Sequence, residues 1–287
     1  MFGFQRCGDL AWAAADIQTR GFLIGGTAGR TTLSGEGLQH QDGHSHILAS
    51  TVPSCVSYDP TYVYELAVII HDGLRRMYSE LESVYYYITC MNENYAHPSM
   101  PEGAEQGIVK GMYQLISSES DSEIRVQLLG SGTILREVIA AAELLESDYG
   151  VAADVWSVTS FNELAREGQS VTRVNRLNPK SKPKISYVEE CLAKTQGPII
   201  AATDYVQNYA EQIRGFVPRK YHVLGTDGFG RSDTRAKLRW FFEVNREHIA
   251  ATTLKALADE GQLKSADVAR MYKSYGIDPL KPDPASS

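Results

Sequence analysis

The stretch Gly35-Glu36-Gly37-Leu38-Gln39-His40-Gln41-Asp42-Gly43-His44-Ser45-His46 concentrates the side chains best able to move protons or hold a metal. It carries three of the chain's seven histidines, with Glu36 and Asp42 among them. Histidine changes charge near neutral pH, so such a loop suits general acid/base work. His40, Asp42, His44 and His46 are also ligand types for zinc. Tetrahedral zinc sites, however, set their ligands on rigid elements, and neither an HExxH nor a CxxC spacing occurs here. Glycines between the candidate ligands raise the entropy cost of gathering them. The loop is therefore expected to bind no structural metal. Residue types alone leave a solvated polar turn and a catalytic loop both open.

Two glycine-rich stretches invite a phosphate-binding reading. Gly130-Ser131-Gly132 lies between an expected strand and helix, but Leu135 stands where the dinucleotide fingerprint needs a third glycine, so a tight turn is the better account. In Leu224-Gly225-Thr226-Asp227-Gly228-Phe229-Gly230-Arg231-Ser232-Asp233 a nest of backbone N–H groups could take an anion. Capping of the next helix by Ser232 or Asp233 is the preferred reading, with the loop near a subunit or domain interface.

These stretches must be positioned by the elements around them. Phe4, Cys7, Leu10, Ala11, Ala14 and Ile17 recur at helical spacing. No N-cap precedes them, which implies that Met1 is an internal methionine of a longer protein. Residues 22–24 read as a short buried strand, 54–57 as a second and 84–89 as a third. Between the last two, Asp59 as N-cap and Pro60 at the first helical position start a helix reaching about residue 78. Strand, helix, strand is the mark of a parallel α/β sheet. Residues 97–105 are proline-rich and poor in apolar side chains, and a domain boundary is placed there, giving domains 1–100 and 101–287. Beyond it, strands are expected at 125–129, 153–158, 198–203 and 221–224. Helices are expected at 133–146, 160–166, 206–215, 234–243, 247–260 and 266–275, with a surface loop over 173–184.

At 287 residues, 43% hydrophobic and 22% charged, the composition is that of a soluble globular protein. A net charge of −7 without a basic run argues against nucleic-acid binding. The longest aliphatic run, residues 66–70, is too short to span a membrane. Four scattered cysteines and no signal peptide point to reduced thiols in the cytoplasm.

At the level of whole segments the chain resembles a known family. MFGFQR, RGFLIGGTAGRTTLSGEGLQHQDGHSH, SYDPTYVYELAVIIHDGLRRMY, YYYITCMNENY, PEGAEQG and VLGTDGFGRSD are similar to the homodimeric bacterial pyruvate dehydrogenases, within the transketolase superfamily. The resemblance covers the C-terminal part of that family's longer chain. It implies an α/β fold: the remainder of a pyrimidine-type thiamin-diphosphate domain, then a transketolase C-terminal-like domain with a mostly parallel sheet. It also implies decarboxylation of pyruvate on thiamin diphosphate with Mg2+, and reductive acetylation of the lipoyl domain of dihydrolipoyl acetyltransferase. His40 falls on the family's active-site histidine, implying acid/base work on the enamine and lipoyl sulfurs. Glu36 falls on an acidic substrate contact, Phe2 on the aromatic that packs against the aminopyrimidine, and Arg6 on the same face one turn along.

The family's glutamate that acts on the aminopyrimidine, and its GDG-type motif for Mg2+ and diphosphate, have no counterpart in this chain. Asp72-Gly73 has no preceding glycine and lies in an expected helix. The chain alone is therefore expected to be inactive and to fold mainly over 101–287, with the N-terminal third less stable or self-associated. The rival readings are a non-catalytic dimerisation or scaffold module and a related transketolase-type enzyme acting on another keto substrate.

Overall fold

Parallel strand pairing divides the chain between two sheets. The computed structural model describes residues 3–26 and 28–287. The elements in order are α1 Gly8–Asp16, β1 Phe22–Gly26, α2 Ser45–Ser50, β2 Cys55–Tyr58, α3 Val63–Leu74, β3 Tyr85–Cys90, α4 Glu105–Lys110 and β4 Met112–Ile116. There follow β5 Arg125–Gly130, α5 Ile134–Tyr149, β6 Ala152–Val158, α6 Phe161–Leu177, α7 Tyr187–Leu192, β7 Ile199–Ala202 and α8 Gln207–Glu211. The last are β8 Tyr221–Leu224, α9 Arg235–Phe241, α10 Arg246–Asp259 and α11 Ser265–Ser274. The first sheet has the order β1-β3-β2, all parallel, with Tyr86 of β3 beside Phe22 and Val56. The second has the order β4-β6-β5-β7-β8, parallel except for β4, which runs antiparallel to β6. The α/β class with a mostly parallel sheet agrees with the sequence reading.

The second sheet is covered on both faces, which is why β6 is buried at every residue. Alternation along β5 sends Leu128 to one face, with Val138, Leu145 and Leu254, and Leu129 to the other, with Phe161, Leu164 and Tyr209. Helix α5 buries Ile134, Leu135, Val138, Ala141, Ala142 and Leu145, the spacing of a single helical face.

Several expectations are corrected. β1 is an edge strand, not a buried one: Leu23 is 40% and Ile24 53% exposed. The N-terminal helix splits into a 3-10 turn, Gly3–Arg6, and α1, and Leu10 and Ile17 face outward. Asp59 does not cap α3. Its N–H donates to the Thr159 carbonyl at 2.8 Å and its own carbonyl accepts from Gly132 N at 3.1 Å, so it is drawn between the sheets. Glu65 caps α3 instead, accepting from Thr61 N at 2.6 Å and Tyr62 N at 2.9 Å. α6 runs on to Leu177, two residues short of Pro179, and takes the front of the expected 173–184 loop. The 206–215 helix is the short α8 followed by a 3-10 turn, Arg214–Phe216. Thr234, rather than Ser232 or Asp233, caps α9 by accepting from Lys237 N. The short elements α2, α4, β4 and α7 carry too few residues for a period to register.

Candidate active site

Residues 28–44 leave β1 and cross the carboxyl ends of both parallel sheets, the place where open α/β sheets bind ligands. Ala28 N donates to the carbonyl of Cys90, at the end of β3, at 3.1 Å. Two residues on, Arg30 N donates to the carbonyl of Asp204, just past the end of β7, at 3.2 Å. The Asp204 carboxylate fixes the next step: it accepts from Thr31 N at 2.8 Å, Thr31 Oγ1 at 2.7 Å and Thr32 Oγ1 at 2.8 Å. Burial pushes the Asp204 carboxyl up in pKa, while these donors and the Arg239 charge oppose it. The Arg30 guanidinium, also buried, donates to the Thr226 carbonyl at 2.7 Å and to the Gly228 carbonyl. Arg235 reaches back to the Thr32 carbonyl at 2.7 Å.

The outer half of the loop is held by the second glycine-rich stretch. Gly35 N donates to the Asp233 carbonyl at 3.0 Å, and Ser232 Oγ donates to the Gly35 carbonyl at 3.0 Å. Gly37 adopts φ +80°, a left-handed turn that lets His40 N reach the Gly37 carbonyl at 3.3 Å. That turn sets His40 beside Glu36, with Nδ1 3.4 Å from the carboxylate Oε2. Both side chains face solvent, at 37% and 54% exposure. An imidazole held beside a carboxylate on a surface loop is a side chain that can accept and donate a proton.

The three histidines do not converge. His40 points outward beside Glu36. His44 is half-buried, and burial first and the Arg30 charge second lower its pKa. His46 is fully buried in α2, its Nε2 3.0 Å from Thr89 Oγ1, stacked on Tyr209 and edge-on to Tyr205. Burial takes its pKa down to about 3, so the ring is neutral. Asp42 serves the backbone, accepting from His44 N at 2.9 Å and Ser45 N at 3.0 Å at the start of α2. Among the described residues no group of three or more His, Cys, Asp or Glu side chains is placed to hold a metal ion.

Of the residues singled out from sequence, His40 and Glu36 are brought together. Arg6 is exposed at the end of the opening 3-10 turn, whose Phe4 packs edge-on to Tyr87 with ring centres 5.1 Å apart. Phe2 lies outside the described residues. Sequence reasoning missed Asp204, Arg30 and Gln41, which place the loop. Apart from the Leu33 carbonyl beside Gln41, their side-chain partners across the loop lie 172 to 198 positions away, and no local pattern signals such a pairing. A cleft of about 300 Å3 at the end of β3, lined by Thr61, Tyr62, Thr89, Cys90, Glu93 and Tyr95, does not include His40 or Glu36. The pair stands on an open surface.

Residues 1–98 match the pyruvate dehydrogenase E1 component middle domain, and residues 111–245 match the transketolase-like TK C-terminal domain. The chain is 63% identical over 287 residues to the pyruvate dehydrogenase E1 component of Cupriavidus necator, and 64% identical over 285 to that of Pseudomonas aeruginosa. With the Escherichia coli K12 protein it shares 57% over 286 residues. These alignments take in 99% or 100% of the chain but 32% of each relative, so the chain spans about a third of their length. Among solved structures, transketolase from Campylobacter jejuni superposes with a TM-score of 0.66 at 17% identity, over 88% of this chain and 34% of that one. A split gene transketolase described as an inactive β4 tetramer gives 0.55 at 14% identity, over 83% of this chain and 67% of that one. At these identities the likeness is one of fold. The chain belongs to the family of the bacterial pyruvate dehydrogenase E1 component, as the stretch matched by its middle domain and its transketolase-like C-terminal domain.

Proposed function

We propose that the whole protein containing this chain decarboxylates pyruvate on thiamin diphosphate and passes the acetyl group to the lipoyl domain of dihydrolipoyl acetyltransferase. The observation that carries the reading is the His40–Glu36 pair at 3.4 Å, on a loop anchored to both halves of a chain from that family. His40 holds and moves a proton at its imidazole, with the Glu36 carboxylate 3.4 Å from its Nδ1. Phe2 and Arg6 complete the cofactor face in this reading. The chain divides into a C-terminal half of the pyrimidine-binding domain at 1–100 and a transketolase C-terminal-like domain at 101–287. The parent is a cytoplasmic homodimer. Among the described residues no helix is long and apolar enough to cross a membrane.

Among the described residues the side chains gather no acidic site for the Mg2+ at the diphosphate end of the cofactor. Such an ion needs converging oxygen ligands. Chemistry on the cofactor therefore needs residues of the parent beyond this chain. Isothermal titration of this chain with thiamin diphosphate and Mg2+ is expected to show no low-micromolar binding, and assay with pyruvate no turnover. The full-length parent is expected to show both. Low-micromolar binding with turnover by the chain alone would contradict this division of labour. A panel of keto acids given to the parent separates pyruvate from the substrates of other transketolase-type enzymes.

A dimerisation or scaffold module is the rival, favoured by the likeness to the split gene chain described as an inactive β4 tetramer. It would gain if the natural reading frame began at Met1 and the protein of that size were the one found in cells.

A further inference from the structure

We propose that Gln41 is the positioning residue of His40: its side-chain amide, closed in both directions on the backbone of Arg231, fixes the turn that presents the imidazole. The inference rests on the role given to His40 above.

Gln41 is 1% exposed. Its Nε2 donates to the Arg231 carbonyl at 2.6 Å and to the Leu33 carbonyl at 3.4 Å, while Arg231 N donates to its Oε1 at 2.7 Å. One amide thus satisfies both backbone groups of Arg231 and ties the loop to its own start. A buried amide with its nitrogen and its oxygen both engaged on backbone has little freedom to shift. Gly230 is shaped to receive it: a Cβ there would stand 2.6 Å from Gln41 Oε1 and 2.8 Å from Gln41 Cβ. The same second loop grips Gly35 through Ser232 and Asp233. Anchors at 35 and 41 therefore bracket Glu36 and His40, whose own side chains are too exposed to be placed by packing. The glycine-rich stretch 225–233 acts as a clamp on the histidine loop, and its register decides where the imidazole stands.

The test has two arms. In the full-length parent, Gln41→Met keeps the length of the side chain and removes both directions of hydrogen bonding. Hydrogen exchange at amides 35–41 is expected to speed up at least ~10-fold, the factor for an opening cheaper by about 1.4 kcal/mol, while exchange in β5 and β6 is unchanged. In the full-length parent, Gln41→Met is expected to slow acetyl transfer by ~10- to 10²-fold, the scale of a displaced catalytic group. In a His40→Ala background it should cost nothing further, because Gln41 acts through His40. Gly230→Ala crowds the same amide and should give the same pattern, which keeps the test decisive if Gln41→Met folds poorly. Unchanged exchange at 35–41, or an equal further loss in the His40→Ala background, overturns the positioning role. If His40→Ala itself leaves the rate untouched, the function assigned to His40 fails, and the exchange arm alone decides whether Gln41 holds the loop.

Discussion

Replacing His40 by alanine in the full-length parent is expected to lower acetyl transfer to the lipoyl group by ~10²- to 10⁴-fold, the range typical of a positioned acid/base group. Folding stability should change by less than about 0.5 kcal/mol, because an exposed side chain away from core and caps contributes little. His40 is 37% exposed and its ion-pair partner Glu36 is 54% exposed, so the pair itself adds little to stability. The informative quantity is the contrast between the two effects. Lipoyl acetylation at the wild-type rate, in a variant that still saturates with cofactor, would remove His40 from the chemistry. A large fall in stability would instead mark it as structural.

The second large effect concerns Asp59, which is fully buried between the sheets, with Oδ1 accepting from Thr89 Oγ1 at 2.7 Å. Burial, with the nearby Asp204 and Glu65 carboxylates, pushes its pKa from 3.8 up to about 7. The unfolded chain releases this proton near pH 4 and the folded chain keeps it until about pH 7. Across that window the folded state binds more protons, so the Asp59 contribution to stability falls as pH rises, by ~4 kcal/mol in all, and is level above it. His46 has the opposite sign. With its folded pKa near 3, the unfolded state binds the extra proton below the ordinary histidine range, and stability is lost as pH falls from about 6.5. Because the two slopes oppose each other, the wild-type curve conceals both. The Asp59→Asn variant separates them: its stability relative to wild type should rise by ~4 kcal/mol between about pH 4 and pH 7 and then stay constant. Any fixed cost of seating the amide cancels in that difference. Denaturant unfolding at a series of pH values measures it, and parallel curves for the two proteins would rule out a buried, titrating Asp59.

Where sequence reasoning held, the information was local. The α5 stripe from Ile134 to Leu145 identifies its helix because one face of a 3.6-residue period must be apolar to reach the sheet. The β6 run from Ala152 to Val158 identifies a doubly covered strand because both its faces are buried. Long matching segments carried the family, and with it the choice of His40 over His44 and His46, which composition alone could not make. What local pattern could not supply was the environment of each histidine. Three imidazoles within seven residues end in an exposed ion pair, a half-buried place by Arg30 and a sealed aromatic cage. Their fates differ because the partners come from distant segments: Arg231 and Asp233 on one side, Asp204, Tyr205 and Tyr209 on the other. The same holds for Asp59, a helix cap by spacing and a buried carboxylate in fact, since only the approach of Thr89, Gly132 and Thr159 takes it out of water. Periodicity records which side of its own helix or strand a residue faces. Charge state, burial and the placing of His40 depend on what lies opposite, and that is decided only when the two sheets bring their carboxyl ends together.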